Sequence, residues 1–279
     1  MKRTLKATIK QKCWSLVTGM TYARVPAWYG ATVKNLRMSV LMPKYGNEHE
    51  KLPLLIWLCG GAFQVMDPDI WIPQWTEFAR KGHVVASVEY RTANEAPFPA
   101  ALEDVKAAIR FLRANASGFG IAPEKVFVGG ESAGGCLACL AGVYGKERRY
   151  DVGEYLEYSS QIQGVLDFYG LTDFTYKPGG ADDLGPVIRQ FLGGKPLEEE
   201  ASACLHVDAD TPPFLIFHGD RDEVAKPSQS EKMYQSLMEQ GIPAEFYVLE
   251  ECGHGSDEFY QAEILELVAD FIHRSGIQG

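Results

Sequence analysis

Long apolar runs are missing from this sequence. No stretch approaches the ~18 apolar residues of a membrane-spanning helix, so a helical membrane protein is not expected. Positive charge is short as well. Against 37 Asp and Glu stand 27 Lys and Arg, a formal net charge of -10. Such a surface repels phosphate, and neither nucleic acid nor an anionic membrane is expected as a partner. Cysteine is sparse: six residues (13, 59, 136, 139, 204, 252) are scattered through 279. A disulfide framework belongs to small secreted domains, so free and mostly buried thiols are the expectation. Cys136 and Cys139 have CxxC spacing, but no second ligand pair accompanies them, and they fall in a predicted helix of small residues.

A secretory leader is also not evident. Lys2, Arg3 and Lys6 make the start basic, but Lys10 and Lys12 interrupt any apolar core, and no small-residue cleavage site follows. Cytoplasmic residence is the default expectation. Repeats, low-complexity tracts and an interdomain linker are lacking, so residues 1–279 are read as a single domain. The sequence carries no signal of oligomeric state. Trp14, Tyr22, Trp28 and Tyr29 make the N-terminal segment aromatic, and they are expected to cover an edge of the core.

What is present is an alternation of short apolar runs with helical patterns, the signature of a mostly parallel sheet with crossover helices. Leu36, Met38, Val40 and Met42 alternate with other positions and predict an early antiparallel strand. The run 52–58 is nearly continuous, as a strand buried on both faces should be. Runs at 84–90, 126–129, 162–169, 214–218 and 244–249 follow in the same style. Between them Leu102, Val105, Ile109 and Leu112 share a helical face, with Pro99 near its start. Ser228 and Glu231 read as a capping box. Ile264, Leu265, Val268, Phe271 and Ile272 form a C-terminal helical stripe. The stretch 172–210, rich in Gly, Pro and acids, is expected to be a cap insertion over the ends of the strands. The fold class is therefore α/β, a mostly parallel central sheet with helices on both faces and a small cap.

The strongest local signal is Gly130-Glu131-Ser132-Ala133-Gly134-Gly135, directly after one strand and before a small-residue helix. This is a G-x-S-x-G nucleophile elbow in its required context. The glycines let strand and helix nearly touch, which lifts Ser132 above the sheet edge, and the Ala133 N–H points the same way. Upstream, Cys59-Gly60-Gly61-Ala62 follows another strand and can offer the backbone N–H groups of Gly61 and Ala62 to an oxyanion. A serine needs a base and the base an orienting acid. His254, in Gly253-His254-Gly255 past the last strand, is the best base; His218 reads as structural. Asp222 is the preferred acid, with Asp220 and Asp173 as rivals. The chain order Ser132, Asp222, His254 suits this arrangement.

These residues carry a resemblance. The chain resembles α/β-hydrolase-fold carboxylesterases from about Pro53 to its C-terminus. It is most similar to bacterial acetyl- and feruloyl-esterase-like enzymes related to the hormone-sensitive-lipase-like esterases. Besides the elbow, the likeness rests on Leu58 to Phe63, Glu89-Tyr90-Arg91, Pro97 to Ala100 with Asp104, Pro212 to Gly219, and Gly253 to Gly255. It implies Ser132, Asp222 and His254 as a triad and Gly61, Ala62 and Ala133 as oxyanion donors. It also implies Arg91 and Asp104 as a brace. Cys59 stands where such esterases carry His.

The expected function is a serine carboxylesterase acting on short acyl esters, acetyl or aryl-acyl groups on carbohydrates. Its partner would be a small-molecule ester, such as an acylated oligosaccharide. An arylformamidase, a small peptidase and a non-catalytic ligand-binding descendant are the alternatives. Phe63, Met66, Trp71, Trp75 and Glu131, with the 172–210 segment, are expected to wall the substrate pocket. No metal and no organic cofactor is implied.

Overall fold

The computed structural model describes residues 1–9, 13–44, 51–175 and 185–276. Among these residues eight strands form one sheet: β1 (Trp14–Ala27), β2 (Thr32–Pro43), β3 (Leu52–Leu58), β4 (Val84–Val88), β5 (Ile121–Glu131), β6 (Gly164–Phe168), β7 (Phe214–Gly219) and β8 (Ala244–Leu249). Their order is β1-β2-β4-β3-β5-β6-β7-β8. β2 runs antiparallel to β1 and β4, whereas β4, β3, β5, β6, β7 and β8 are mutually parallel. The helices are α1 (Ile72–Arg80), α2 (Ala100–Ala114), α3 (Ala116–Phe119), α4 (Ala133–Val143), α5 (Gly185–Phe191), α6 (Glu198–Ala201), α7 (Ser228–Glu239) and α8 (Ala262–Ser275).

Parallel strands joined by crossover helices are covered on both faces, which is why their sequences read as unbroken apolar runs. Alternate residues of one strand feed different cores. Leu54, Ile56 and Leu58 of β3 pack with Leu102, Val105 and Ile109 of α2 and with Leu137 of α4. Leu55 and Trp57 face the other way, onto Trp75 and Phe78 of α1 and Val268 and Phe271 of α8. Every residue of α4 is buried, as befits a helix that is apolar all round and central to the sheet.

The element positions follow the apolar runs closely, and two expectations need correction. The capping box at Ser228 does not form: Pro227 takes the N-cap position in αR geometry, Ser228 lies inside the helix, and no side chain caps the end. The N-terminal segment forms the 14-residue edge strand β1, which covers the edge of the core with part of its aromatic set. Within it Tyr22 is buried, its hydroxyl donating to the Glu89 carbonyl at 2.5 Å, and Trp14 packs on the core. Trp28 and Tyr29, at the turn into β2, are instead 56% and 70% exposed and lie outside the core. The stretch 172–210 does lie between β6 and β7 and carries α5 and α6; its residues 176–184 fall outside the described set.

Candidate active site

Because β3, β5, β7 and β8 are parallel, their C-terminal ends open on one edge of the sheet, where ligands of open α/β sheets bind. The loops leaving these ends carry Gly61, Ser132, Asp222 and His254. Ser132 lies between β5 and α4 with φ 54° and ψ -119°, a strained conformation for a non-glycine residue that costs about 1–3 kcal/mol. The strain is held by crowding on every side. A Cβ on Gly134 would come within 1.9 Å of the Leu58 carbonyl oxygen, and one on Gly130 within 2.4 Å of Gly134. The Ser132 N–H donates to the Phe168 carbonyl at 2.9 Å.

The structure brings Ser132, His254 and Asp222 together. His254 Nε2 lies 2.9 Å from Ser132 Oγ, and His254 Nδ1 lies 2.6 Å from Asp222 Oδ2. With Nδ1–H donating to the carboxylate, Nε2 presents its lone pair to the serine hydroxyl. Asp222 is buried and its other oxygen accepts from the Val224 and Ala225 N–H groups at 2.8 and 2.9 Å. Burial alone would raise its pKa, but hydrogen bonds from His218 and His254 and from these amides hold the carboxyl well below the usual range. His254 is partly open to solvent, and Tyr169 meets its ring edge-on at 4.8 Å.

The rival acids lie elsewhere. Asp220 is exposed; Asp173 pairs with Lys232 and accepts from Thr175. A second serine–histidine contact exists, His218 Nδ1 to Ser230 Oγ at 2.7 Å, with His218 Nε2 3.3 Å from Asp222. All three groups are fully buried, and His218 Nε2 is also 2.8 Å from the Ala225 carbonyl. Ser230 has no route to a substrate carbonyl, so this array supports Asp222 from behind.

Among the described residues, the N–H groups of Gly61, Ala62 and Ala133 donate to no protein acceptor. The loop that carries the first two is wound tightly: φ is +132° at Gly61, +53° at Ala62 and +59° at Phe63. Only glycine fits at Gly61, where a Cβ would sit 2.2 Å from the Val65 carbonyl oxygen. Cys59 is buried, its thiol 3.8 Å from Ser87 Oγ and its pKa pushed far up by burial, so it is an inert packing thiol. Its carbonyl accepts from the Tyr90 hydroxyl at 2.5 Å. Arg91 and Asp104 form a buried bidentate pair that ties the β4 end to α2.

The expected pocket wall divides. Trp71 and Glu131 are half-buried beside Ser132, hydrogen-bonded to each other, whereas Met66 is half-buried against the two cores. Trp75 is not wall: it is fully buried against Trp57 at 4.4 Å, because α1 turns that side chain into the core. Phe63 is also buried, stacked on Phe191 of α5 at 4.0 Å. What sequence reasoning missed is the bracing around Phe63. Gln64 donates to Gln190, Gln190 to Asn94, and Asn94 to the Gln64 carbonyl, at 2.8, 2.6 and 2.7 Å. No local pattern announces such a ring, since its three amides come from separate segments. Among the described residues there is no group of three or more His, Cys, Asp or Glu that could hold a metal.

A sheet of this order, with a serine elbow after β5, a carboxylate after β7 and a histidine after β8, defines the α/β-hydrolase class. Within it, the chain belongs to the BD-FAE family, whose model matches residues 38–237. It is similar to Esterase LipC of Mycobacterium tuberculosis, 30% identical over 241 residues, covering 81% of this chain and 60% of that protein. Esterase LipQ of the same organism is 26% identical over 234 residues, covering 80% and 55%. The chain thus spans about half the length of the curated relatives it matches. Among solved structures, a truncated form of a carbohydrate esterase from gut microbiota superimposes with a TM-score of 0.81 at 24% identity. That match covers 98% of this chain and 100% of the other and bears on the fold.

Proposed function

We propose that the protein is a serine carboxylesterase hydrolysing short-chain acyl esters, with acetyl or aryl-acyl groups on carbohydrates as the substrate class. The observation that carries this reading is the file of Ser132 Oγ, His254 and Asp222, with contacts of 2.9 and 2.6 Å, at an open strand edge. In this reading His254 takes the Ser132 proton as Oγ attacks the ester carbonyl, and Asp222 holds the imidazole and stabilises the imidazolium. Gly61, Ala62 and Ala133 N–H groups receive the oxyanion. His254 then returns the proton to the departing alcohol. Water, deprotonated by His254 in turn, releases the acid and restores Ser132.

The carbohydrate part of the proposal draws support from the family and from the carbohydrate esterase of the same fold. Trp71, half-buried beside Glu131, offers a ring for a sugar or aryl face. The whole chain as one domain, with 172–210 as its cap, belongs to the same reading. Support for the cap comes from Phe174 and Phe191, which flank Phe63 of the oxyanion loop.

Ser132→Ala should lower kcat on p-nitrophenyl acetate by at least about 10³-fold with an unchanged melting temperature, and should abolish labelling by a fluorophosphonate. Full turnover in the folded variant would sink the proposal. A panel of acetylated xylo-oligosaccharides, feruloyl esters, N-formylkynurenine and aminoacyl amides tests the substrate class. The esters should show the higher kcat/KM.

A further inference from the structure

Glu131 ends β5 and directly precedes the nucleophile. Its side chain does not point along the sheet edge to solvent but reaches across to the loop after β3. Oε1 accepts from the Gly60 N–H at 2.5 Å and from the Trp71 indole N–H at 3.2 Å. The carboxylate lies directly over Gly60: a Cβ there would lie 2.7 Å from both carboxylate oxygens and would push the Glu131 head aside. Trp71 is itself fixed by stacking on Tyr260 at 4.0 Å with the rings 17° apart. Tyr169, fully buried, packs nearby, and the negative charge of Glu131 adds to burial in holding its phenol well above the usual range. A carboxylate accepting from a backbone N–H makes a charge-assisted hydrogen bond, stronger than a neutral one.

We propose that Glu131 is a positioning residue that clamps the oxyanion loop to the nucleophile elbow. The inference rests on Ser132 being the nucleophile. Three successive residues, Gly61, Ala62 and Phe63, hold positive φ, a backbone that persists only when its surroundings over-determine it. The far end of the loop is tied by Gln64 and Val65 N–H groups to the Gly61 carbonyl and by the Ala93 N–H to the Phe63 carbonyl. The near end is tied by Tyr90 at Cys59 and by Glu131 at Gly60. Of these ties, the one from Glu131 comes from the residue next to Ser132. It therefore fixes the N–H groups of Gly61 and Ala62 relative to the atom they must serve. A pocket-wall residue would act on substrate binding; a clamp acts on the transition state.

The experiment uses the full chain and p-nitrophenyl acetate, with active sites counted by fluorophosphonate titration. Glu131→Ala should lower kcat per labelled site by about 10- to 100-fold, below the loss of a whole oxyanion donor, with KM within about twofold. Glu131→Gln, which keeps an acceptor oxygen for Gly60, should recover most of that loss. Affinity for a boronate that forms a tetrahedral adduct on Ser132 should fall in parallel with kcat/KM. A rise in KM at constant kcat would make Glu131 a substrate contact and overturn the proposal. So would a Gln variant no better than Ala, or unchanged boronate affinity. Should Glu131→Ala not fold, Gly60→Ala, which presses a methyl onto the carboxylate, must give the same kcat-selective loss. If Ser132→Ala itself retains turnover, the esterase reading fails, whatever Glu131 does.

Discussion

Asp222 and Asp220 stand two residues apart, yet their surroundings separate them. Asp222 is buried with two amide donors on one oxygen and His254 on the other, whereas Asp220 faces solvent. Asp222→Asn leaves the fold an acceptor but turns the imidazole tautomer against catalysis, and should cost on the order of 10³- to 10⁴-fold in kcat. Asp220→Asn should stay within about threefold; steady-state kinetics on one ester decides between them.

Asp167 offers a stability test at the same scale. It is fully buried, Oδ1 accepts from the Gly170 N–H at 2.9 Å, and Oδ2 has no hydrogen-bond partner among the described residues. Burial pushes its pKa up to about 6. A raised carboxyl contributes stability that is complete below the unfolded pKa near 4 and is lost as pH rises through 6. The loss is on the order of 3 kcal/mol at most. Asp167→Asn, which keeps the acceptor for Gly170, should therefore melt higher than wild type at pH 8, by several degrees. That advantage should shrink toward pH 4.5, and a difference independent of pH in thermal melts would refute the argument. Such a residue is invisible in sequence, because nothing near Asp167 marks it as unpartnered. Ser132, His254 and Asp222 were legible because each sits just past an apolar run, and chemistry limits which residue types can serve there.

At the scale of elements, the elbow is a packing device. Gly134→Ala places a methyl 1.9 Å from the Leu58 carbonyl oxygen, so β3 or α4 must move. We expect lower stability together with at least about a 10²-fold loss of kcat, since a small misplacement of reacting groups has that effect. A melting curve and a turnover assay on the same sample check both halves. The α5 contact works in the opposite direction, from insertion to site. Phe191→Ala should destabilise by about 3–5 kcal/mol, while Gln190→Ala opens the amide ring at little cost in packing. If α5 supports the oxyanion loop, Gln190→Ala should lower kcat severalfold without moving the melting temperature by more than about 2 °C. The parallel strands could be read from the sequence because burial on both faces leaves an unbroken apolar run. β1 could not, since it is an edge strand whose register slips between Val17 and Met20 and again between Thr21 and Ala23. Those slips break the two-residue alternation that would betray it.

For the whole molecule, the decisive quantity is charge. The formal net charge of -10 creates a negative field that a neutral ester does not feel and an anionic one does. Composition alone makes this legible, but it says nothing of where the charges lie, and the fold supplies that. Glu131 and Asp222 are both within the site, and one of them touches the oxyanion loop. An ester bearing a carboxylate must therefore approach against both the distant and the local field. We expect kcat/KM for a neutral acetyl ester to change less than about twofold between 50 and 500 mM NaCl, because screening has nothing to act on. For the hemisuccinate ester of the same phenol, kcat/KM should start lower and rise severalfold over that range as the Debye length shortens from roughly 14 to 4 Å. The repulsion should appear as a higher KM at 50 mM salt and fade at 500 mM. A flat salt profile for the charged ester would mean that the field at the mouth of the site is not set by the protein's net charge.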